Sequence, residues 1–492
     1  MPASQSPSAP SLIQRLASID VRSLAAFRIG LGLVLIWDLA TSLSNAEAFY
    51  GESGVLPLSV LGPYRESPWM FSLHDFGGSW GLPVALIVLQ LAAAFCLLIG
   101  YRTQLFAIVS WALLCSLQAR NPIVLHGGDT ALRLLLFWGM FLPLGACWSV
   151  DVAKRRVQHW VSGHSVFNLA GVGLLFQTAL IYWSTAVLKS GNEWTRDGTA
   201  VYFALSVDQF VRQPGLILLQ FPELCRGLTF YAWWLEILGP FLAFVPWKTA
   251  QIRILVVAAF WTLHAGFGIC LRLGPFPFVM MVAWVPFLPS LFWDRLRLFP
   301  SDSVWTGKSG RWMTHFITQT FALFSLVYVT FWNLRTTDYE RMVGLFPTWL
   351  NLFGYVLRLD QYWALFAPKP LTDDGWLVLE ATLADGSKVD LLRNGRTVSY
   401  DKPPLISADY PDYKWQKLEI NLYLAQFQSA RLPFGNFWVR KWNESKGPDQ
   451  QVTSWALNYM KEQTLLHHYA VQPQLIELWR SSAALGTEAK KL

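Results

Sequence analysis

Nine stretches of this chain stay apolar for close to the ~20 residues that a helix needs to cross the hydrocarbon core of a bilayer. That repetition constrains the fold more than any single motif does. The stretches run over residues 24–43, 81–100, 104–117, 130–148, 165–189, 228–247, 252–271, 276–293 and 316–332, the third being the shortest. Composition agrees. Only 14% of the residues are charged and 53% are hydrophobic, whereas a soluble domain is about a quarter charged. The 26 tryptophans suit a chain with many membrane–water boundaries, where Trp collects. The expected fold class is an all-α polytopic membrane bundle of about nine transmembrane helices, residues 24–333. A polar cytoplasmic tail, residues 1–23, precedes it, and a small extracytoplasmic α+β domain, residues 334–492, follows it.

The loops orient the bundle. With the N-terminus in the cytoplasm, the inner loops hold Arg15, Arg22, Arg102, Lys154, Arg155, Arg156, Lys248, Arg253, Arg295, Arg297, Lys308 and Arg311. The outer loops hold Arg120, and Arg65 among Glu47, Glu52, Glu66 and Asp75. This is the positive-inside pattern, and it predicts a multi-pass plasma (inner) membrane protein. The opening "MPASQSPSAPSLIQRLASID" lacks the apolar core of a cleavable signal, so the first span is expected to act as an uncleaved start-transfer helix. The net charge of +7 comes from these loops. No basic run with interleaved aromatics appears, which excludes nucleic-acid binding. Five cysteines without a CxxC define neither a disulfide framework nor a metal site.

Beyond Arg335 the pattern changes. "WLVLEATL" alternates, "ADGS" turns, "KVDLL" returns and Asn394-Gly395 is a hairpin turn pair, so a small antiparallel meander is expected. "YKWQKLEINLYLAQFQ" and "QQVTSWALNYMKEQTLLHHYA" read as amphipathic helices. The loop of residues 191–227 is long, and "DQFVRQPGLILLQFP" within it is expected to lie along the interface or to re-enter.

A few polar side chains interrupt the apolar runs. Thr178, Tyr182, Thr185 and Lys189 are spaced four, three and four apart, which puts them on one stripe of one helix. Such a stripe faces a bundle interior or a water-filled cavity. A partly desolvated lysine at its mouth is placed to act as a base, whereas a lysine at a helix end otherwise snorkels to the interface. His264, Glu236 and Arg133 also lie inside apolar runs, as do Arg28 and Asp38, which do not share a face. In "RNPIVLHGGDTALR", Asp129 is the expected N-cap of the following helix.

"LAAFRIGLGLVLIWDL", "LLIGYRTQLF", "LGACWSVD", "TAVLKSGNEW" and "LHAGFGICLRLGPFPFVMM" follow one another in the order seen in the HTTM family. This is the membrane domain shared by vitamin K-dependent gamma-carboxylases and many bacterial proteins, and residues 24–297 resemble it. "YWALFAPKPLTDDGWLVLEATLADGSKVDLL" is similar to the extracytoplasmic tail of bacterial members. The resemblance implies a site at Lys189, which stands five residues before Trp194, as the carboxylase's proposed catalytic lysine stands before its tryptophan. It implies a matching role for His264, with Tyr182 in reach, and a reduced quinone as the cofactor. The partners it implies are the lipid bilayer and a quinone, a lipid or an extracytoplasmic protein side chain. One position departs from the pattern: Ala146 stands where the carboxylase has a histidine two residues before "WSVD". His126 is too distant along the chain to replace that histidine unless its loop folds back. Efficient carboxylation of glutamate is therefore not expected, and base-assisted chemistry on another acceptor is. The alternative is a non-catalytic scaffold or maturation factor that holds a partner through its outer domain, with "FGNFWVRKW" as the contact surface.

Overall fold

The computed structural model describes residues 11–76, 80–154, 164–296, 312–338, 342, 347–465 and 472–481. Arg155, Arg156, Arg297, Lys308 and Arg311, five of the basic residues used to orient the bundle, lie outside them.

The helices that organise the first two thirds of the chain are α1 (Val21–Ser44), α2 (Gly81–Ile99), α3 (Thr103–Arg120), α4 (Gly127–Gly139), α5 (Leu169–Leu188), α6 (Pro222–Leu242), α7 (Thr249–Cys270), α8 (Phe276–Trp284), α9 (Ser290–Leu296) and α10 (Trp312–Thr337). Among the described residues, α1, α2, α5, α7 and the Phe316–Thr337 part of α10 are long and apolar enough to cross a membrane. The α8–α9 pair makes a sixth if its 99° bend is counted within one span.

Two expected spans are not single helices. The run of residues 130–148 stops being helical at Gly139, because Pro143 and Gly145 follow and Trp148 adopts a φ of 48°. The 13 residues of α4 cover roughly 20 Å, short of the ~30 Å hydrocarbon core. From Ala131 to Gly139 every residue of α4 is buried, so it is an internal strut. The run of residues 276–293 breaks after Trp284, where Pro286 and Pro289 remove backbone donors.

The C-terminal part carries one antiparallel sheet and two main helices. The strands are β1 (Asp373–Leu383), β2 (Lys388–Asp390), β3 (Arg396–Thr397), β4 (Val452–Gln463) and β5 (Gln474–Ser481), in spatial order β3-β2-β1-β4-β5. The meander is as expected. Asn394 and Gly395 sit at φ of 54° and 75°, the left-handed pair that a tight hairpin turn requires. The helices are α11 (Tyr413–Tyr423) and α12 (Arg431–Asn443).

The expectation of a helix over "QQVTSWALNYMKEQ" is wrong, since most of this stretch is β4, paired with β1 from Asp373↔Gln463 to Leu383↔Val452. The strand is central and buried on both faces. Trp455, Leu457 and Tyr459 join the main core beneath the helices, while Met460 packs with Trp376, Val378, Ile406 and Tyr410 on the other side. A strand buried on both faces shows no alternation, and its apolar run imitates a helix.

Asp38 of α1 lies buried against this domain, bonded to the Lys414 ammonium at 2.8 Å and to the Tyr413 hydroxyl at 2.5 Å. Around it, Asn45 donates to Asp412, Asn421 donates to the Ile123 carbonyl, and Gln416 donates to the Gln209 carbonyl. Burial alone would drive Lys414 down, but Asp38, with Tyr413 and Tyr50, holds it well above the usual lysine range. The aromatics of "FGNFWVRKW" face inward on α12: Phe434 and Phe437 are core residues, and the Trp455 ring lies against Gly435. Trp438 and Trp442 are half-buried beside them.

Candidate functional site

Lys189 caps the C-terminus of α5, its backbone N–H reaching the carbonyls of Thr185 and Ala186. A lysine there suits the helix dipole and ordinarily runs its stem out to water. Lys189 does the opposite. Its side chain is 3% exposed and turns into the bundle, where Nζ donates to both oxygens of Glu236 on α6, at 2.7 and 2.6 Å. The same ammonium lies 4.2 Å from the ring centre of Trp194, a cation–π contact. Trp194 is held by its own indole N–H, which donates to the Phe366 carbonyl at 2.9 Å. The five-residue interval between Lys189 and Trp194 is thus a tight turn at Gly191 that folds the ring back over the ammonium.

About two turns down α5, the Tyr182 hydroxyl meets His264 Nε2 of α7 at 2.6 Å. With Tyr182 donating, the imidazole proton sits on Nδ1, for which there is no partner among the described residues. Phe260 and Trp284 pack on the Tyr182 ring and shut water out from below. Tyr182, Thr185 and Lys189 of the predicted stripe line one cavity of about 470 Å³, together with Glu236 and His264. Thr178 lies deeper, with its hydroxyl bonded to the carbonyls of Leu174 and Ala283, and does not reach the cavity.

Most of the wall is apolar. The long loop supplies one side of it. That loop folds into short helices, Asn192–Thr195, Ala200–Ser206 and Gln213–Leu218; Trp194, Val201 and Leu205 of the first two, and Phe210 just before the third, face the cavity. The C-terminal domain supplies the roof, through Tyr413, Gln416, Lys417 and Ile420 of α11. Burial pulls the Lys417 ammonium below the usual lysine range, against the opposing pull of Asp129.

His126 lines the same cavity, so its loop does fold back. It is also the N-cap of α4, a role expected for Asp129. His126 Nδ1 accepts from the Gly128 N–H at 2.9 Å, while the Asp129 carboxylate, one turn inside the helix, accepts from the His126 N–H at 2.8 Å. An Asp at the third helical position closes a capping box as a Glu would. Burial holds this imidazole below the usual histidine range. As Nδ1 accepts, the proton sits on Nε2, which has no partner among the described residues.

Ala146 is elsewhere. It is fully buried in the turn after α4, beside carbonyls of Leu144, Cys147 and Trp148 that accept from the Arg28 guanidinium. Leu142 of this turn packs at Gly171, near the start of α5. Lys189 lies eighteen residues further along the same helix, roughly 27 Å away at 1.5 Å per residue. The residue at 146 therefore has no direct part in handling protons in this cavity. Arg133 is also structural, bonded to Gln118 Oε1 at 3.0 Å and to Asp360 Oδ2 at 3.1 Å.

Sequence reasoning placed Lys189, Tyr182 and His264 together. It missed the identity of the lysine's partner, the roof and His126. Glu236 was visible as an intramembrane charge, but nothing in the sequence paired it with Lys189. Among known proteins, no family model matches the chain, and no solved structure gives a significant match. The chain is similar to an uncharacterized protein, YitO, of Bacillus subtilis (strain 168), 25% identical over 171 residues; the match covers 33% of this chain and about half, 48%, of that protein.

Proposed function

We propose that this chain is a membrane enzyme that binds an amphipathic hydroquinone-class ligand in the cavity and removes a proton from its hydroxyl group. The observation that carries the reading is a buried, bidentate Lys189–Glu236 pair in the wall of a largely apolar cavity. Structural ion pairs need no cavity; this one borders space for a ligand of roughly the size that such pockets accept. The HTTM resemblance supports the same site. A planar, apolar body suits the walls, and the unpartnered nitrogens of His126 and His264 add polar groups beside it.

The geometry divides the work differently from a lone basic lysine. Lys189 already donates two hydrogen bonds to a carboxylate and is the cation of the pair. Glu236 is the group able to accept a proton. When it does, its hold on the ammonium weakens, and Lys189 is free to face the negative oxygen left on the ligand. Tyr182 and His264 hold the wall and position the hydroxyl.

In this reading the chain crosses the membrane nine times, the run of residues 130–148 crossing inside the protein as α4 with the turn after it and the run of residues 276–293 crossing as the bent α8–α9 pair, with the N-terminus cytoplasmic and the C-terminal domain outside. Reporter fusions after Arg156 and after Arg335 are expected on opposite sides. Deleting the C-terminal domain does not separate an enzyme from a scaffold, because α11 roofs the cavity and its loss opens the site in either case. The direct test is spectroscopic. A prenyl-tailed naphthol whose deprotonated form absorbs at longer wavelength is added to the purified chain. The wild type is expected to bind it deprotonated, Glu236→Gln to bind it neutral, and Lys189→Arg to keep part of the deprotonated band. Binding only in the neutral form, or no binding, refutes the proposal. If Lys189→Arg abolishes the band while Glu236→Gln retains it, the lysine is the base.

A further inference from the structure

On the α6–α7 side of the cavity, three wall residues are also exposed on the outside of the molecule: Tyr231 on α6, and Thr262 and Gly266 on α7. A residue can face both ways only where the wall opens. On α6, Leu224, Tyr231, Trp234, Leu238 and Phe241 are exposed at steps of seven, three, four and three, with Leu242 beside the last of them. On α7, Leu255, Thr262, Gly266 and Ile269 are exposed at steps of seven, four and three. Each set is a single helical stripe. Apolar stripes on helices of this kind meet lipid, so the mouth lies in the lipid-facing surface.

The seam between α6 and α7 is closed at one end and open at the other. Near the end of α6, the Phe260 ring packs tightly against Gly239, where an added Cβ would come within 2.6 Å of it. Higher up, the Tyr231 hydroxyl donates to the Ala259 carbonyl at 3.1 Å and latches the two helices. Beyond the latch, a Cβ added at Gly266, which lines the cavity, would meet nothing within 4 Å. Gly266 thus leaves open space on α7 at the level of the cavity.

We infer that this gap is a lateral portal through which a ligand dissolved in the bilayer enters head first. The polar head then reaches Lys189 and Glu236 while the tail stays between α6 and α7, in contact with lipid. The inference rests on the ligand-binding role proposed above and names the ligand class more closely, as a long-tailed amphiphile carried by the membrane. A second opening, at the exposed Lys369 and Leu371 beneath the C-terminal domain, gives small water-borne molecules a separate way in.

The test uses the full chain in vesicles and two probes, a prenyl-tailed naphthol in the lipid and a tail-less naphthol in the water. Gly266→Trp and Thr262→Trp each place a bulky ring in the gap. Both are expected to slow uptake of the tailed probe by about tenfold or more while leaving the tail-less probe within about twofold of wild type. Unchanged uptake of the tailed probe, or equal loss of both probes in both variants, overturns the portal. If the wild type binds neither probe, the proposed function fails, and the portal is judged separately. Thr185→Cys, in a chain whose native cysteines are replaced by alanine, is buried from lipid except through the gap. Labelling of it by a lipid-tethered maleimide, abolished by Gly266→Trp, sustains the portal, and absence of labelling overturns it.

Discussion

Separating Lys189 from Glu236 is expected to cost the two partners unequally. Both side chains are at most 5% exposed and share two hydrogen bonds of 2.6 and 2.7 Å. Removing one member of such a pair strands the other and costs about 3–5 kcal/mol. The ammonium has a second source of support in Trp194, 4.2 Å away, worth about 2 kcal/mol in a desolvated setting. Glu236→Leu, which leaves the lysine, should therefore cost about 1–3 kcal/mol by difference. Lys189→Met leaves the Glu236 carboxylate without that support and should cost the full amount of about 3–5 kcal/mol, limited only by uptake of a proton. The double variant replaces the pair by apolar side chains of similar volume and should recover most of the loss. Thermal unfolding of the detergent-purified protein, followed by circular dichroism, should rank Lys189→Met below Glu236→Leu and place the double variant above both. A double variant as unstable as the sum of the two singles would refute the account, because it would show that the groups are not coupled.

Other expectations follow from the domain and its junction. Burial, with the Asp208 and Glu462 carboxylates close by and against the opposing pull of Lys402, pushes the Asp374 carboxyl up to about 7. The folded state then holds a proton that the unfolded chain releases near pH 4, so domain stability should fall as pH rises from about 4 through 7 and level off above; Asp374→Asn should flatten that profile in pH-dependent melting curves. Lys414→Met strands the buried Asp38, and limited proteolysis should cut the C-terminal domain faster in this variant by about tenfold or more if the pair contributes the usual 3–5 kcal/mol. Gly435→Ala would place a Cβ 2.2 Å from the Trp455 ring and should destabilise the domain by about 1–3 kcal/mol, whereas Gly447→Ala, which meets nothing within 4 Å, should leave the melting temperature unchanged.

The parts of the molecule legible in its sequence are those set by local rules. Hydropathy alone located α1, α2, α5, α7 and α10, because the apolar length of a spanning helix is a local property. The Asn394-Gly395 hairpin was legible because both residues tolerate the left-handed region. The stripe Tyr182–Thr185–Lys189 followed from helical spacing. Failures came where tertiary context decides. Strand β4 is buried on both faces and lost its alternation. The run after Thr130 reads like a single lipid-facing helix, whereas α4 ends at Gly139 and is sheathed by protein, because a helix buried by protein and one buried by lipid are equally apolar. The partnerships of Lys189 with Glu236, 47 residues apart, and of Asp38 with Lys414, 376 apart, leave no trace in spacing. His126 was set aside for its distance along the chain, yet a capping box turns its loop inward to the cavity.

The roof of the cavity has a consequence for how the protein comes into being. Asp38 of α1 leaves the ribosome long before its buried partner Lys414, which emerges 376 residues later. At ordinary synthesis rates of ~5–20 residues per second, the interval is roughly 20–75 s. Throughout it, a carboxylate destined for burial has neither its cation nor its covering helix. The half-made protein therefore has to keep that end of α1 in water or beside a borrowed cation. A truncated chain, or one stalled before Tyr413, would carry the lysine, the glutamate and both histidines and still enclose no binding chamber. The cavity closes late, when the C-terminal domain folds down over helices made long before it.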